Sequence, residues 1–200
     1  MSETNKGTEI SGNVKLIPDD RKEDRRVRRT KRLLKEALIS LILEKGYDEV
    51  SVQEVIDKAD VGRTSFYTYF RSKEDLLLQN LDDLEEMFEP EEVKSEDLNV
   101  NEFSLMMFRH LKENWKLARL LLGNKKIPAV RNHVQKIFLK YYKNQFQIKF
   151  GKRKTPVEIE FAAVMFSGAL LSLILWWLSM KEPVSPEMMH ELFLKHIKDK

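Results

Sequence analysis

The sequence predicts an all-α fold of about nine helices, with a small N-terminal helix-turn-helix domain of three helices and a larger C-terminal helical bundle. Apolar residues recur at helical spacing through most of the chain, and the alternation typical of β-strands is hard to find. Two helix start signals are clear: a capping box at Ser51–Glu54, and Thr155-Pro156 as N-cap and first helical residue. The few glycines and prolines, seven and six in 200 residues, leave room for long helices.

The composition excludes several classes of protein. Hydrophobic residues at 42% and charged residues at 34% are typical of a soluble helical protein with one or two domains. The absence of cysteine excludes disulfides, thiolate metal sites and a cysteine nucleophile. Met1–Asp20 lacks the apolar core of a signal peptide. These features favour a cytoplasmic location.

The chain is predicted to begin with a disordered arm at residues 1–24, which is polar and lacks periodicity. A first helix follows from about Arg28 to Lys45, and Gly46 suits the left-handed position that ends a helix. The net charge is only +3, yet Arg21–Lys35 is strongly basic. Such a segment is either a solvated helix start or a cationic arm that follows DNA phosphates. We favour the second interpretation because of the motif that follows.

Ser51–Leu78 predicts two short helices joined by a tight turn, and then the start of another helix. The apolar residues between Val52 and Ala59 share one face of the first short helix. Asp60 tolerates a left-handed backbone, and Gly62 can serve as the next N-cap. The helix after the motif is expected from Lys73 to about Phe88, opened by a second capping-box pattern at Ser72.

This arrangement is a helix-turn-helix, whose second helix can lie in the major groove of DNA. That helix, Arg63–Phe70, is expected to turn Phe66 and Phe70 inward and to expose hydrogen-bonding side chains on its other side. Lys73 lies beside a helix N-terminus, where free N–H groups attract phosphate. The residues that we assign to DNA contacts are Arg29, Thr30, Ser51, Val52, Arg63, Thr64, Ser65, Tyr67, Thr68, Tyr69 and Lys73.

At these residues the chain resembles the TetR family of bacterial transcriptional regulators. The matching run is Val52–Leu76, and it includes the family's aromatic residues at Phe66-Tyr67 and Phe70 and its Ser-Lys-Glu sequence at Ser72–Glu74. With the preceding helix, the specific resemblance covers roughly Arg29–Leu78. So many matched positions in order make this signal much stronger than a lone helix-turn-helix pattern.

The resemblance also has departures and implications. The family often has Gly where Asp60 stands, and usually has Thr and His where Ser65 and Tyr69 stand, which bears on base preference. The resemblance implies a DNA-binding domain at residues 25–78, with its fourth helix continuing to about 88. It also implies a ligand-binding and dimerisation domain at residues 89–200.

Beyond the fourth helix, turn and start signals predict four further helices. Pro90 ends the fourth helix, and the acidic stretch Glu89–Glu102 is expected to be a loop or hinge. The helices are expected at Asn101 or Glu102 to Leu122, Ala129–Phe150, Thr155–Met180 and Ser185–Ile197.

Phe161–Met180 is a run of twenty residues without a charge, long enough to span a membrane. A helix buried within a soluble bundle, partly by a second subunit, is the alternative. The second interpretation is favoured because the flanks show no positive-inside bias and no other span exists. The resemblance implies a homodimer through Thr155–Met180 and Ser185–Ile197. Two DNA-binding domains would then meet successive major grooves, about 34–36 Å apart, on a near-palindromic double-stranded operator.

The resemblance further implies a repressor that is released from its operator by an unknown small-molecule effector in the C-terminal bundle. Aromatic and methionine side chains are abundant there, although each one alone is more typical of core packing. His110 and Tyr142 are candidate polar anchors. The candidate pocket residues are Met107, His110, Trp115, Phe138, Tyr142, Phe166 and Trp176.

No pattern predicts catalysis, a metal site or a cofactor. The four histidines are scattered, no glycine-rich phosphate loop is present, and Glu187 and His190 are a single pair at helical spacing. The basic residues of Phe103–Lys154 form either a solvated face or a second polyanion contact. An alternative to the DNA-binding regulator is a membrane-tethered or scaffold protein that binds anionic surfaces.

Overall fold

The computed structural model describes residues 25–88, 100–124 and 127–198, and every regular element in these ranges is a helix. The all-α prediction is therefore confirmed for this part of the chain. The predicted arm at residues 1–24 and most of the predicted acidic loop lie outside the described residues. The helices are α1 (Arg25–Lys45), α2 (Val52–Ala59), α3 (Arg63–Tyr69), α4 (Lys73–Phe88), α5 (Val100–Glu113), α6 (Trp115–Leu122), α7 (Pro128–Phe150), α8 (Pro156–Ser179) and α9 (Pro186–Lys198).

The prediction of one continuous helix up to Leu122 is wrong, because the chain breaks at Asn114 between α5 and α6. The backbone of Asn114 has φ −104° and ψ 32°, outside the helical region. Its side-chain amide donates a hydrogen bond to the His110 carbonyl at 3.0 Å, and such local bonds compete with helix geometry. The break allows α6 to pack against both α1 and α8.

The first three helices pack around one apolar core, and we call them the α1–α3 unit. Leu34, Leu38 and Ile42 of α1 have no exposed surface. Phe66 of α3 is also fully buried, and Phe70, directly after α3, is 1% exposed. The inward orientation predicted for both phenylalanines is confirmed. Since they anchor one side of α3, its other side faces away from the core.

A capping box starts α2, as the sequence predicts. Ser51 Oγ accepts a hydrogen bond from the Glu54 N–H, and the Glu54 carboxylate accepts one from the Ser51 N–H at 2.9 Å. The Lys45 ammonium, 2.5 Å from Glu54, and the Ser51 N–H together lower the pKa of Glu54 to about 2. The carboxylate of the cap is therefore ionised at neutral pH, and it joins the end of α1 to the start of α2.

The turn between α2 and α3 depends on Asp60, which has a left-handed backbone with φ 52° and ψ 49°. The Asp60 N–H donates to the Asp57 carbonyl and the Val61 N–H donates to the Ile56 carbonyl, each at 3.2 Å. These bonds satisfy carbonyl groups that α2 leaves free at its end. Gly62 is the N-cap of α3. Both predictions for this turn are confirmed.

We expect Asp60→Val to lower the free energy of unfolding by about 1–2 kcal/mol, because a β-branched residue is strained at positive φ. The side chain of Asp60 is exposed, so the substitution changes little packing. Asp60→Gly is the control, since glycine adopts this conformation without strain, and it should stay within about 0.5 kcal/mol of the native protein. Urea unfolding followed by circular dichroism measures both. Equal stability of the valine variant and the native protein would contradict the strain argument.

The remaining helices form the bundle, in which α7 lies along α8 and α5 lies along α9. Aromatic rings fill the space between them: Phe103 stacks on Tyr141 with centroids 3.8 Å apart, and Tyr142 has no exposed surface. α4 connects the two parts of the fold, because it contacts both α1 and α7. On that contact, His133 Nε2 of α7 lies 2.7 Å from Asp82 Oδ1 of α4.

The apolar helix α8 is long and apolar enough to cross a membrane by length and composition. In the structure one side of it packs against α6 and α7, where Ala163, Leu170 and Ile174 are fully buried. Only 33% of its most apolar window is buried inside the protomer. The opposite side includes Phe161 and Trp176, which are 68% and 53% exposed. A single protomer therefore leaves an apolar face of α8 uncovered.

Candidate nucleic-acid interface and effector cavity

The polar side of α3 presents four exposed candidates for DNA contact: Arg63, Thr64, Tyr67 and Thr68. The Arg63 guanidinium lies over the Tyr67 ring, 5.8 Å from its centroid. The Tyr67 ring in turn packs edge-on against buried Phe66, with centroids 5.2 Å apart. This stack orients Arg63 and Tyr67 on the core before any DNA binds, which lowers the entropy lost on binding.

The remaining α3 candidates are more constrained. Thr68 Oγ1 donates to the Thr64 carbonyl at 2.8 Å, which leaves its oxygen to accept a bond from DNA. Ser65 and Tyr69 are half-buried. The Lys31 ammonium of α1 lies 5.7 Å from the Tyr69 ring centroid, so α1 contributes a cation beside α3. Lys31 is not among the residues that the sequence assigned to DNA contacts. It belongs to the basic segment Arg21–Lys35, which was interpreted as a cationic arm.

The candidates outside α3 lie on the neighbouring helices of the same unit. Arg29 is exposed and Thr30 half-buried on the first turns of α1. Ser51 is exposed, but its hydroxyl donates to the Glu54 carboxylate at 2.8 Å. Val52 is half-buried at the start of α2. Arg29 and Thr30 precede Lys31, the α1 lysine that lies beside Tyr69 of α3.

Lys73 has a structural role that the sequence did not indicate. Its ammonium donates to the carbonyls of Tyr47 at 2.7 Å and Val50 at 2.5 Å, and lies 4.1 Å from the Tyr47 ring centroid. Burial lowers the pKa of the Lys73 ammonium. An ammonium has three N–H donors, and these two hydrogen bonds use two of them. Lys73 joins the start of α4 to the segment between α1 and α2.

The cap of α4 also differs in detail from the predicted box. Ser72 Oγ accepts a hydrogen bond from the Asp75 N–H at 3.0 Å, as expected. The Asp75 carboxylate, however, accepts from the Arg71 N–H at 2.9 Å rather than from that of Ser72. The acidic residue therefore satisfies a backbone donor one position earlier, before the helix begins.

We expect Lys73→Met to lower the free energy of unfolding by about 1–3 kcal/mol, because two carbonyl groups lose a charged hydrogen-bond donor. Lys58→Met is a matched control. Lys58 pairs with Glu44 on the surface, and losing such a pair costs about 0–1 kcal/mol. Urea unfolding measures both variants. If Lys73→Met weakened DNA binding without any loss of stability, a phosphate contact would be its main role.

A cavity of about 230 Å³ lies between the α1–α3 unit and the bundle. Three of the seven candidate pocket residues line it: Met107, His110 and Phe138. Its walls also include side chains of α1 and α4. The sequence did not predict them, because local patterns do not indicate which distant helices pack together. Its lining residues are Ile39, Leu77, Asn80, Leu81, Met107, His110, Leu111, Asn114, Leu117, Ala118, Leu121, Leu122, Val130, Val134, Ile137, Phe138 and Ile174.

The other four candidates lie elsewhere in the structure. The Trp115 ring packs edge-on against Trp177, with centroids 4.8 Å apart. Tyr142 is buried among aromatic rings, including Phe166 at 5.5 Å. Trp176 points outward from α8 and is half exposed. Tyr142 is therefore not an anchor of this cavity.

The cavity is mainly apolar, with Asn80, His110 and Asn114 as its polar members. Burial lowers the pKa of His110, so its imidazole is neutral at pH 7. A neutral imidazole donates one hydrogen bond and accepts one. The interior therefore suits an apolar group and carries no fixed charge of its own.

Glu187 and His190, the pair considered for a metal ion, and Arg109 of the basic face are engaged in bundle contacts. Arg109 Nε donates to Glu187 Oε1 at 2.9 Å, and Ser104 Oγ lies 2.9 Å from His190 Nδ1, so both pairs join α5 to α9. Across residues 25–88, 100–124 and 127–198, no three potential metal-binding side chains come together. Internal pairs such as Arg109–Glu187 partly neutralise the basic face of residues 103–154.

Comparison with known proteins agrees with this geometry. The model of bacterial regulatory proteins of the tetR family matches residues 34–79, and that of a transcriptional regulator C-terminal region matches residues 98–199. YuxN of Bacillus subtilis (strain 168), an uncharacterized HTH-type transcriptional regulator, is 42% identical over 50 residues, which span 25% of this chain and 17% of that protein.

Two solved structures share the fold along nearly their whole length. A TetR transcriptional regulator from Streptococcus agalactiae 2603V is 25% identical, with TM-score 0.65, over 87% of this chain and 96% of its own. NalD, the secondary repressor of the MexAB-OprM multidrug efflux pump in Pseudomonas aeruginosa, is 18% identical, with TM-score 0.64, over 86% and 95%. The two family models cover both the α1–α3 unit and the bundle, and the protein belongs to the TetR family of transcriptional regulators, which are non-enzymatic DNA-binding proteins.

Proposed function

We propose that this regulator is a cytoplasmic, homodimeric repressor that binds a near-palindromic operator and is released from it by a small-molecule effector. The observation that carries the effector response is the position of the cavity. Its lining residues come from α1 and α4 as well as from α5, α6, α7 and α8 of the bundle. A molecule bound there contacts both the DNA-binding part and the bundle.

α4 is the element that would transmit effector binding. It begins at Lys73, whose ammonium is bonded to the backbone between α1 and α2, and it contacts α7 just beyond its middle through Asp82 and His133. Leu77, Asn80 and Leu81 of α4 lie between these two attachments and line the cavity. A molecule that displaces α4 therefore moves the α1–α3 unit relative to the bundle, which changes the separation of two such units in a dimer.

The dimer is supported by the uncovered apolar face of α8 and α9, which we call the α8–α9 face. Contiguous exposed apolar residues on a soluble protein mark interaction sites, and a twofold dimer buries the same face on both copies. A helix pair on each protomer would form a four-helix interface. The exposed apolar residues of the face are Val157, Phe161, Val164, Met165, Trp176, Met188 and Leu192.

The proposed DNA contacts divide into two groups. Arg63, Thr64 and Ser65 lie at the start of α3, and we propose that they contact base edges in the major groove. Tyr67, with the cations of α1, is proposed to contact phosphates, which fix register without carrying sequence information. We propose a domain division of residues 25–78 for DNA and 89–200 for dimerisation and most of the effector cavity, whose lining also includes Ile39 and Leu77 of the first domain.

A binding titration with a cognate duplex tests this function. We expect two protomers per operator and a linear fall of log K with log salt concentration, because phosphate contacts release counterions. The low-molecular-mass fraction of a cell extract should then release the protein from that duplex. Binding of a single protomer per operator would overturn the proposed homodimer. If no fraction of the extract released the protein from the duplex, the proposed effector response would be wrong.

A further inference from the structure

A groove on the surface of α1 adjoins the effector cavity. One face of α1 carries residues spaced three or four positions apart, which is the spacing of neighbours on a helix surface. These residues are Arg28, Lys31, Arg32, Lys35 and Ile39. This face and Asn80 of α4 border the groove. Its lining residues are Arg28, Lys31, Arg32, Lys35, Glu36, Ile39, Ser40, Leu43 and Asn80.

Ile39 and Asn80 line both the groove and the effector cavity. The two spaces therefore adjoin each other at the seam between α1 and α4, where they share these two lining side chains. Lys35 lies one helical turn from Ile39, and its ammonium is 3.4 Å from the Gln79 carbonyl of α4. A cation thus lies at the seam, next to the residues that line both the groove and the cavity.

The two spaces differ in charge. The groove has four cationic lining residues and one carboxylate, Glu36, which pairs with Arg32 at 2.9 Å. The cavity has seventeen lining residues without a carboxylate, a lysine or an arginine, and its histidine is neutral. The cationic groove favours an anionic group, whereas moving an unpaired anion from water into the apolar cavity is costly.

We propose that the effector is an elongated amphiphilic anion: its alkyl chain occupies the cavity, and its carboxylate or phosphate lies in the groove beside Lys35. The proposal rests on the proposed function, because it names the class of molecule for the same site. The anionic group would reduce the positive charge on α1, where Lys31 lies beside Tyr69 of α3. Effector binding would therefore weaken phosphate binding as well as displace α4.

A series of single-chain amphiphiles tests this class on the full-length protein. Calorimetry would compare hexanoate, octanoate, decanoate and dodecanoate below their micellar concentrations with dodecyl phosphate, 1-dodecanol and dodecyltrimethylammonium. We expect affinity to rise about fourfold per methylene until the cavity is full. Both anions should bind at least about tenfold more tightly than the alcohol, and the cation should not bind measurably. The ratio of carboxylate to phosphate affinity distinguishes the two head groups.

Two variants locate the ligand. Lys35→Gln should weaken dodecanoate about tenfold and leave dodecanol unchanged, whereas Val134→Phe, which fills the cavity, should weaken both. Lys116→Gln, an exposed lysine on α6, is the control and should change neither. Thermal unfolding verifies that all three variants are folded.

The outcomes separate this inference from the proposed function. Equal affinity for dodecanoate and dodecanol, or unchanged dodecanoate binding in the Val134→Phe variant, would show that the amphiphile binds elsewhere and would overturn the proposal. If no amphiphile binds but cell extract still releases the operator, the effector response stands and the assigned class is wrong. If extract also fails, the effector response itself is wrong.

Discussion

Gly168→Leu should produce a folded protomer that no longer dimerises. A Cβ atom added at Gly168 meets no other atom within 4 Å in the protomer, so the protomer has open space at the point where a side chain would begin. Leucine also favours a helix interior over glycine by about 0.5–1 kcal/mol. Gly168 lies one to two turns from Phe161, Val164 and Met165 on the α8–α9 face. The clash that leucine causes is therefore expected only with a second copy.

The expected loss of dimerisation free energy is large because the interface is symmetric. Overpacking one side chain costs about 1–3 kcal/mol, and a twofold interface contains the substitution twice, which gives about 2–6 kcal/mol in dimerisation free energy. Sedimentation equilibrium measures the dimer, and thermal unfolding measures the protomer. Lys116→Leu, which adds the same side chain to an exposed position of α6, should leave the dimer intact. An unchanged dimer in the Gly168→Leu variant would exclude this face as the interface.

Arg63→Ala and Thr64→Val should each change which operator sequence the protein prefers. A good contact with a base edge contributes about 1–3 kcal/mol of discrimination, and a dimer makes each contact twice. We therefore expect the affinity of each variant for the native operator to fall about tenfold or more. Its affinity for operators altered at the contacted base pair should fall less. Fluorescence anisotropy with a panel of single-base operator variants measures this pattern.

Tyr67→Phe is the matched comparison for these substitutions. The variant keeps the ring that packs on Phe66 and supports the Arg63 guanidinium, and it removes only the hydroxyl. Because a phosphate contact carries no sequence information, its affinity should fall by a similar factor on every operator in the panel. A change of preferred base in the Tyr67→Phe variant, with none in the other two, would reverse the roles assigned to the two groups.

Local chemistry explains why the motif could be predicted from the sequence. The capping box at Ser51, the left-handed turn at Asp60 and the burial of Phe66 each depend on residues within a few positions of one another. The break at Asn114, in contrast, could not be predicted, although it also depends on a local hydrogen bond. Asparagine is tolerated on an exposed helix surface, and its bond to His110 depends on the rotamer that it adopts.

The cavity and the role of Lys73 could not be predicted in the same way. Lys73 donates to carbonyls more than twenty residues earlier in the chain, and Ile39 meets the bundle only through folding. Trp176 was assigned to the pocket but is half exposed, because α8 is apolar on all sides and its sequence does not indicate which side faces the core. Positions set by contacts between distant helices are therefore visible only in the structure.

The most direct test of the central claim is selection of bound duplexes from a random pool by the purified protein. If the polar side of α3 contacts bases in two symmetry-related copies, the bound DNA should converge on one sequence with twofold symmetry. Its half-sites should be about 10 base pairs apart or a multiple of that distance. Recovery of duplexes without any enriched sequence, or of an asymmetric single half-site, would contradict the account.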